Sequence, residues 1–427
     1  MSQIRRNKNL LLILLLTAFM RPADAKTMSR STDELFNAYQ DRVVQIRVID
    51  NSSGKKSAIG SGFAVGAGLF ATNFHVISDA INEPGKFRLE YVDSRRQTSS
   101  LAILDVDVVH DLAIVSSDSA TPSFFTLGEG DHQKGSRIYS MGNPLDLGMT
   151  IIEGTYSGLL EESLYEKILF SGSLNPGMSG GPAIDHSGSV IGVNVSTAGN
   201  EISFLVPSSY LQSLLDTVMI RRASRDTVNF MKRIEDELFD NQENYLNRLM
   251  ELHWKQDTLG CCLVPREMGS CFKCWGESQH DSETLYTVSL TTCANGDEIY
   301  LSPSLTTGSI EFTFRWYDAD RLGTERFYRV LQQRFADVDI PNISAKQELN
   351  DPESMTKFVR INGSDWKTTL STWQYRKYPR IHDVVLKMVL VNHATQSMIV
   401  DLKLLGVSRE TSLAFCRKFM GALRWLD

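Results

Sequence analysis

The stretch from Ser171 to Asp185 reads SGSLNPGMSGGPAID, with β-type sequence on both sides. It sets one serine, Ser179, inside Gly177-Met178-Ser179-Gly180-Gly181-Pro182. Glycines there let the chain turn with φ > 0 and keep side chains away, so that backbone N–H groups stay open to a ligand. A serine hydroxyl held on such a turn is placed for attack. The N–H groups of Gly177 and Ser179 can then converge on a developing oxyanion. The same letters also describe a Gly-rich β-turn with an incidental serine, so partners elsewhere in the chain decide between the two.

Two partners lie upstream, each in an apolar run that reads as a strand. Ala71-Thr72-Asn73-Phe74-His75-Val76-Ile77 carries a histidine, and Val108-Val109-His110-Asp111-Leu112-Ala113-Ile114-Val115 carries an aspartate. A serine alkoxide is inaccessible at neutral pH, so Ser179 needs a base, and histidine has the pKa for it. The histidine needs a carboxylate to fix its tautomer and stabilise the imidazolium. His110 neighbours Asp111, but adjacent strand residues face opposite ways, so the strand reading turns His110 away from any cleft that Asp111 faces. Asp105 and Asp107 lack the Asp-x-Ala context of Asp111, and His186 falls in a turn before Ser187-Gly188, where solvent exposure accounts for it.

The order His75, Asp111, Ser179 and its surroundings resemble the chymotrypsin/trypsin-like serine peptidases, with the HtrA/Deg type as the nearest branch. The motifs that carry this are Gly60-Ser61-Gly62-Phe63, Thr72-Asn73-Phe74-His75, Asp111-Leu112-Ala113 and Asn175-Pro176-Gly177-Met178-Ser179-Gly180-Gly181-Pro182, within about residues 40–210. The resemblance implies a mainly β fold of two packed six-stranded antiparallel barrels, with His75 and Asp111 from the first and Ser179 from the second. It also implies an oxyanion hole from the Gly177 and Ser179 amides, and an extended peptide added as a strand near Gly192–Thr197. The residue six before the nucleophile, Ser173, would floor the primary pocket, with Asn194, Val195 and Ser196 on the facing wall. None of these is a carboxylate, so cleavage after small or medium apolar residues is expected. Met178 departs from the Asn or Asp common before the nucleophile, which removes the activation switch that many trypsins build on an Asp there. The PDZ module that often follows in HtrA-type proteins is not found, and residues 257–427 resemble no family.

Composition fits a globular protein, with 42% hydrophobic and 22% charged residues in 427. Residues 1–25 read as a signal peptide: Arg5, Arg6 and Lys8, then the apolar run Leu10–Met20, then Ala23-Asp24-Ala25. The run is too short to cross a bilayer, so a periplasmic or secreted protein starting near Lys26, without stable membrane insertion, is expected. Cleavage would take the formal charge from −7 to about −10, which argues against nucleic acid as a partner. All six cysteines follow residue 260: Cys261, Cys262, Cys271, Cys274, Cys293 and Cys416. In an exported chain they favour up to three disulfides; a thiolate zinc site at Cys262, Cys271, Cys274 and Cys293 is the lesser alternative.

The chain divides into a protease-like domain at 26–220, a helical linker at 221–256 and a separate α+β domain at 257–427. A helical turn capped by Ser31 or Thr32 precedes the barrels, and a helix starts at Ser208. In the linker Val228, Met231, Ile234, Leu238, Tyr245, Leu249 and Leu252 recur at three- and four-residue steps, interrupted by Asn241. That stripe packs on its own chain or, as an alternative, pairs with a second copy. In the last region Ile310–Trp316 and Met398–Leu404 alternate as half-buried strands, Glu325–Phe335 reads as a helix, and Ser408 caps another. Six tryptophans, Trp254 to Trp425, fit that region's core better than a site.

The sequence therefore reads as an exported serine endopeptidase acting on protein or peptide substrates, with His75, Asp111 and Ser179 as its triad and no metal or cofactor. A binding or scaffold protein on a degenerate protease fold, acting through its C-terminal domain, is the second reading.

Overall fold

The computed structural model describes residues 30–119, 123–128, 132–199, 201–224, 227–280, 285–337 and 340–426. The expected signal peptide lies outside the described residues. Helix α1 (Thr32–Tyr39) starts where the Ser31 amide donates to Glu34 Oε2 at 2.9 Å. Six strands then close a barrel: β1 (Val43–Asp50), β2 (Lys56–Gly66), β3 (Leu69–Thr72), β4 (Phe87–Val92), β5 (Thr98–Asp107) and β6 (Leu112–Ser116), in the order β1-β2-β3-β6-β5-β4. Period-two alternation builds it, as in β4, where Phe87, Leu89 and Tyr91 turn inward while Arg88 is exposed. Helix α2 (Phe74–Asn82) links β3 to β4.

A second closed barrel follows from β7 (Arg137–Gly142), β8 (Thr150–Leu159), β9 (Ile168–Phe170), β10 (Pro182–Ile184), β11 (Val190–Gly199) and β12 (Ile202–Pro207). Phe63, Phe125, Tyr139 and Met141 join one core between the barrels, with Leu211, Leu214 and Val218 of α3 (Ser208–Ser224). The mainly β, two-barrel expectation is what the structure has.

The helix expected from Ser208 is α3, and α4 (Phe230–Glu251) occupies most of the expected linker at 221–256. Ile234 and Leu238 of α4 join the core of the first barrel, while Tyr245, Leu246 and Leu249 join that of the C-terminal region. Each such side chain, fully buried, contributes about 1.5–3 kcal/mol relative to exposure. Asn241, the break in the stripe, donates to Tyr165 Oη at 2.6 Å, so it too faces its own chain. Ile234, Leu238, Tyr245 and Leu249 of the stripe are thus buried within the chain, whereas Leu252 at its end is exposed.

The C-terminal region is α+β. Its seven-stranded antiparallel sheet runs in the order 273–280, 287–294, 310–318, 396–407, 382–390, 364–374, 353–361, with α5 (Thr324–Ala336) and α6 (Arg409–Gly421). Ser408 caps α6, its hydroxyl accepting from the Thr411 amide at 3.1 Å. A two-stranded hairpin, Ile299–Ser302 with Leu305–Thr307, packs Ile299, Leu301 and Leu305 into the same core as Val76 and Ile77 of α2. Apolar side chains from both sides of residue 257 thus share one core.

Of up to three disulfides expected, one is formed among the described residues: Cys274–Cys293, at directly paired positions of neighbouring strands. Cys262, Cys271 and Cys416 are free and packed in the C-terminal core, and burial pushes their thiols up to about 12, 11 and 12. Of the tryptophans, Trp254, Trp316, Trp366 and Trp373 are buried, whereas Trp275 is exposed.

Candidate active site

The turn that carries Ser179 is fixed from both barrels. Gly177 and Gly180 have φ of +96° and +83°. A Cβ on Gly180 would collide with Ser61 O and Thr72 Oγ1, so glycine there is a matter of space as well as conformation. Gly180 N donates to Asn194 O and Asn194 N to Gly181 O, both at 2.9 Å. From the first barrel, Ser61 N donates to Ser179 O at 2.8 Å and Ser61 Oγ to Gly177 O at 2.7 Å. The Gly60–Phe63 motif is therefore the brace behind the serine turn. Met178 is fully buried in the second barrel's core with Ile138, Phe170 and Leu205, which accounts for an apolar residue at this position. The Gly177 and Ser179 amides donate to no partner among the described residues.

His75 and Asp111 come together, but not on strands as the apolar runs suggested. His75 lies in the first turn of α2, which Asn73 precedes as N-cap. Asp111 sits in the turn between β5 and β6 with φ of +56°. The Asp111 carbonyl accepts from Asn73 Nδ2 at 2.8 Å and Phe74 N at 3.2 Å; its carboxylate accepts from His75 N at 2.8 Å. This puts a negative charge at the helix N-terminus, where the macrodipole favours it. The other carboxylate oxygen lies 2.6 Å from His75 Nδ1, which leaves Nε2 as the ring's free nitrogen. Burial pulls the His75 pKa down, yet the Asp111 charge and hydrogen bond outweigh it and leave it above the ordinary histidine value.

Ser179 Oγ donates to Val195 O at 3.1 Å. Val195 is the extra residue of a bulge, since Asn194 pairs with Leu205 and Ser196 with Phe204, and the bulge aims its carbonyl at the serine. Of the expected pocket residues, Val195 and Ser196 line the cleft beside His75. Asn194 turns its side chain into the core instead. Its side chain is fully buried, donating to Met141 O at 3.1 Å and Met178 O at 3.2 Å and accepting from Ser140 Oγ at 2.8 Å. Ser173 is exposed and lies outside that cleft.

Residues 60–193 match the family model described as the trypsin-like peptidase domain. Among curated proteins, the probable periplasmic serine endoprotease DegP-like of Chlamydia pneumoniae is 30% identical over 199 residues, 44% of this chain and 39% of its own length. The mitochondrial serine protease HTRA2 of Bos taurus is 33% identical over 188 residues, 40% of each. The crystal structure of the serine endoprotease from Yersinia pestis aligns with a TM-score of 0.39 at 22% identity, over 44% of this chain and 66% of that one. Residues 60–193 are a trypsin-like peptidase domain. They are homologous to the DegP/HtrA serine endoproteases, and the chain spans about two fifths of the length of the curated relatives named.

The peptidase domain holds a second histidine–aspartate couple that the sequence did not signal. Residues 108–111 are a turn, so the strand argument that turned His110 away is wrong: His110 and Asp111 line the same cleft. His110 Nδ1 instead contacts Asp107 at 2.8 Å, and its ring stacks on Tyr210 of α3 with centroids 3.7 Å apart. Glu237 of α4 accepts from Val109 N at 3.0 Å, two residues from Asp111. Burial and the Asp107 charge push Glu237 well above the carboxylate range. Asp107 itself is held below that range, because its bonds to His110 overcome its burial. Asp105, fully buried, pairs with Arg221 at 2.6 Å and Arg233 at 3.5 Å. The turn that carries Asp111 is thus clamped by both helices. Only the polar interruption of the α4 stripe, Asn241, hinted at such contacts.

Proposed function

We propose that the chain is a serine endopeptidase that cleaves protein substrates through an acyl-enzyme. The observation that carries this is the His75–Asp111 couple at 2.6 Å, its free imidazole nitrogen unclaimed, beside a serine turn braced from both barrels. Ser179 Oγ, released from Val195 O by rotation about χ1, attacks the scissile carbonyl while His75 Nε2 takes its proton. The open Gly177 and Ser179 amides receive the oxyanion, and Asp111 stabilises the imidazolium. His75 then protonates the leaving amine, and water repeats the sequence in deacylation. These steps require no metal or cofactor.

Export to the periplasm or beyond is supported by residues 1–25 and by relatives whose names call them periplasmic. No helix among the described residues is long and apolar enough to cross a membrane. Cleavage after small or medium apolar residues is supported by Val195 and Ser196, which bring no carboxylate to the wall next to the serine. Profiling of cut sites in a denatured protein mixture tests this, and a dominant Arg or Lys before the cut overturns it.

A fluorophosphonate probe should label Ser179 in the intact chain, and Ser179→Ala should abolish both labelling and hydrolysis. The alternative, a scaffold on an inactive protease fold, is favoured by the resting bond from Ser179 to Val195. Wild-type protein that resists the probe would establish it.

A further inference from the structure

We propose that the C-terminal region supplies a wall of the substrate cleft, with Tyr300 selecting an apolar side chain at the second substrate residue before the scissile bond. This deepens the endopeptidase reading and rests on it.

The cleft beside His75 has a volume of about 490 Å³ and is walled from three sides. The first barrel brings His75 and Val109, the second brings Val195 and Phe204, and the hairpin brings Ile299 and Tyr300. The edge of the Tyr300 ring meets the His75 ring, with centroids 5.9 Å apart and planes at 69°.

The segment that carries Tyr300 is anchored on both sides of the cleft. Toward the first barrel, Leu301 O accepts from Asn82 Nδ2 at 3.1 Å, and Leu301 and Leu305 are buried against α2. Toward the second barrel, the buried Asp297 accepts from Ser163 Oγ and Leu164 N, both at 2.7 Å, and from Lys167 Nζ at 3.1 Å. One short stretch of the C-terminal region therefore spans the groove between the barrels and sets its width.

The assignment to a substrate position follows from strand geometry. Substrate preceding the cut lies extended beside Val195 and Ser196, and its successive side chains point to opposite faces. The first side chain before the cut enters the primary pocket. The second turns the other way, toward His75, and meets Tyr300 and Ile299. That wall is aromatic and aliphatic, so leucine-sized side chains should be favoured there over glycine.

The test uses the full chain and a pair of peptide substrates that differ only at that second position, Leu against Gly. The wild type should favour Leu, and Tyr300→Ala should lower the ratio of kcat/KM values about tenfold, as expected for loss of apolar contact in a pocket. Tyr300→Phe should restore the ratio, because the ring stays. A Tyr300→Ala protein that loses activity equally on both substrates, or keeps the wild-type ratio, overturns the assignment while the endopeptidase reading stands. Absence of Ser179 labelling in the wild type overturns that reading and the assignment with it.

Discussion

Two histidine–aspartate couples stand side by side in one cleft, and only their surroundings tell them apart. In His75–Asp111 the aspartate caps a helix with its spare oxygen and carbonyl, holding the ring with Nε2 unclaimed. In His110–Asp107 the ring is stacked on Tyr210 and meets the edge of Tyr165 at 5.8 Å, and the carboxylate shares a buried site with Glu237. Contact distances differ little, 2.6 Å against 2.8 Å. What differs is the second partner of each aspartate: a helix N-terminus that orients the ring, or another carboxyl beside the turn.

The largest effects should come from exchanging insults between the couples. His75→Ala should remove nearly all hydrolysis, and Asp111→Asn should lower kcat by about 10⁴ through the wrong imidazole tautomer. His110→Ala should leave activity within a few-fold. If steady-state assays find His110→Ala as damaging as His75→Ala, the division of labour drawn here is wrong.

The pH profile gives a smaller effect with a definite sign. In the proposed mechanism the base form of His75 is the active one, and its pKa lies above the ordinary histidine value, so the acid limb of kcat/KM should fall above that of a free imidazole. The residual activity of Asp111→Asn should show the limb displaced to lower pH, since the charge that raises the pKa is gone. The couple's contribution to stability runs the same way. It is complete below the unfolded-state pKa and is lost as pH rises through the folded one.

Much of the first couple was legible because each of its parts sits in a short motif with its own chemical demand: a glycine turn for Ser179, a lone histidine, an Asp-x-Ala. The apolar run around His75 was misread as strand because Phe74, Ile77 and Ile81 also fit a helical face, and Asn73 is a competent cap. Asn194 and Val195 are neighbours in the sequence, and the bulge between them, which residue order does not show, turns them to different duties. The second couple and the Tyr300 wall were illegible for another reason. Their contacts join residues far apart in the chain, Val109 to Glu237 and Asn82 to Leu301, and neither end carries a local pattern that names the other.

The smallest expected effect isolates the carboxyl pair behind His110. Glu237 is buried beside Asp107 and holds its proton to a higher pH than an unfolded glutamate would. Between those two pKa values the folded state binds more protons than the unfolded one, so this group makes stability fall as pH rises, by up to about 1.4 kcal/mol per pH unit. Glu237→Gln should remove that slope. The amide oxygen can still accept from Val109 N, and the neutral amide keeps a second negative charge away from Asp107. The variant should therefore melt near the wild type at about pH 5 and above it at about pH 8, with kcat little changed because the turn carrying Asp111 keeps its clamp. Thermal melts at both pH values, paired with hydrolysis rates, decide it. A variant that loses stability equally at both would mean that Glu237 is ionised in the fold and paired with Arg233, 3.7 Å away, rather than a neutral carboxyl beside an ionised Asp107.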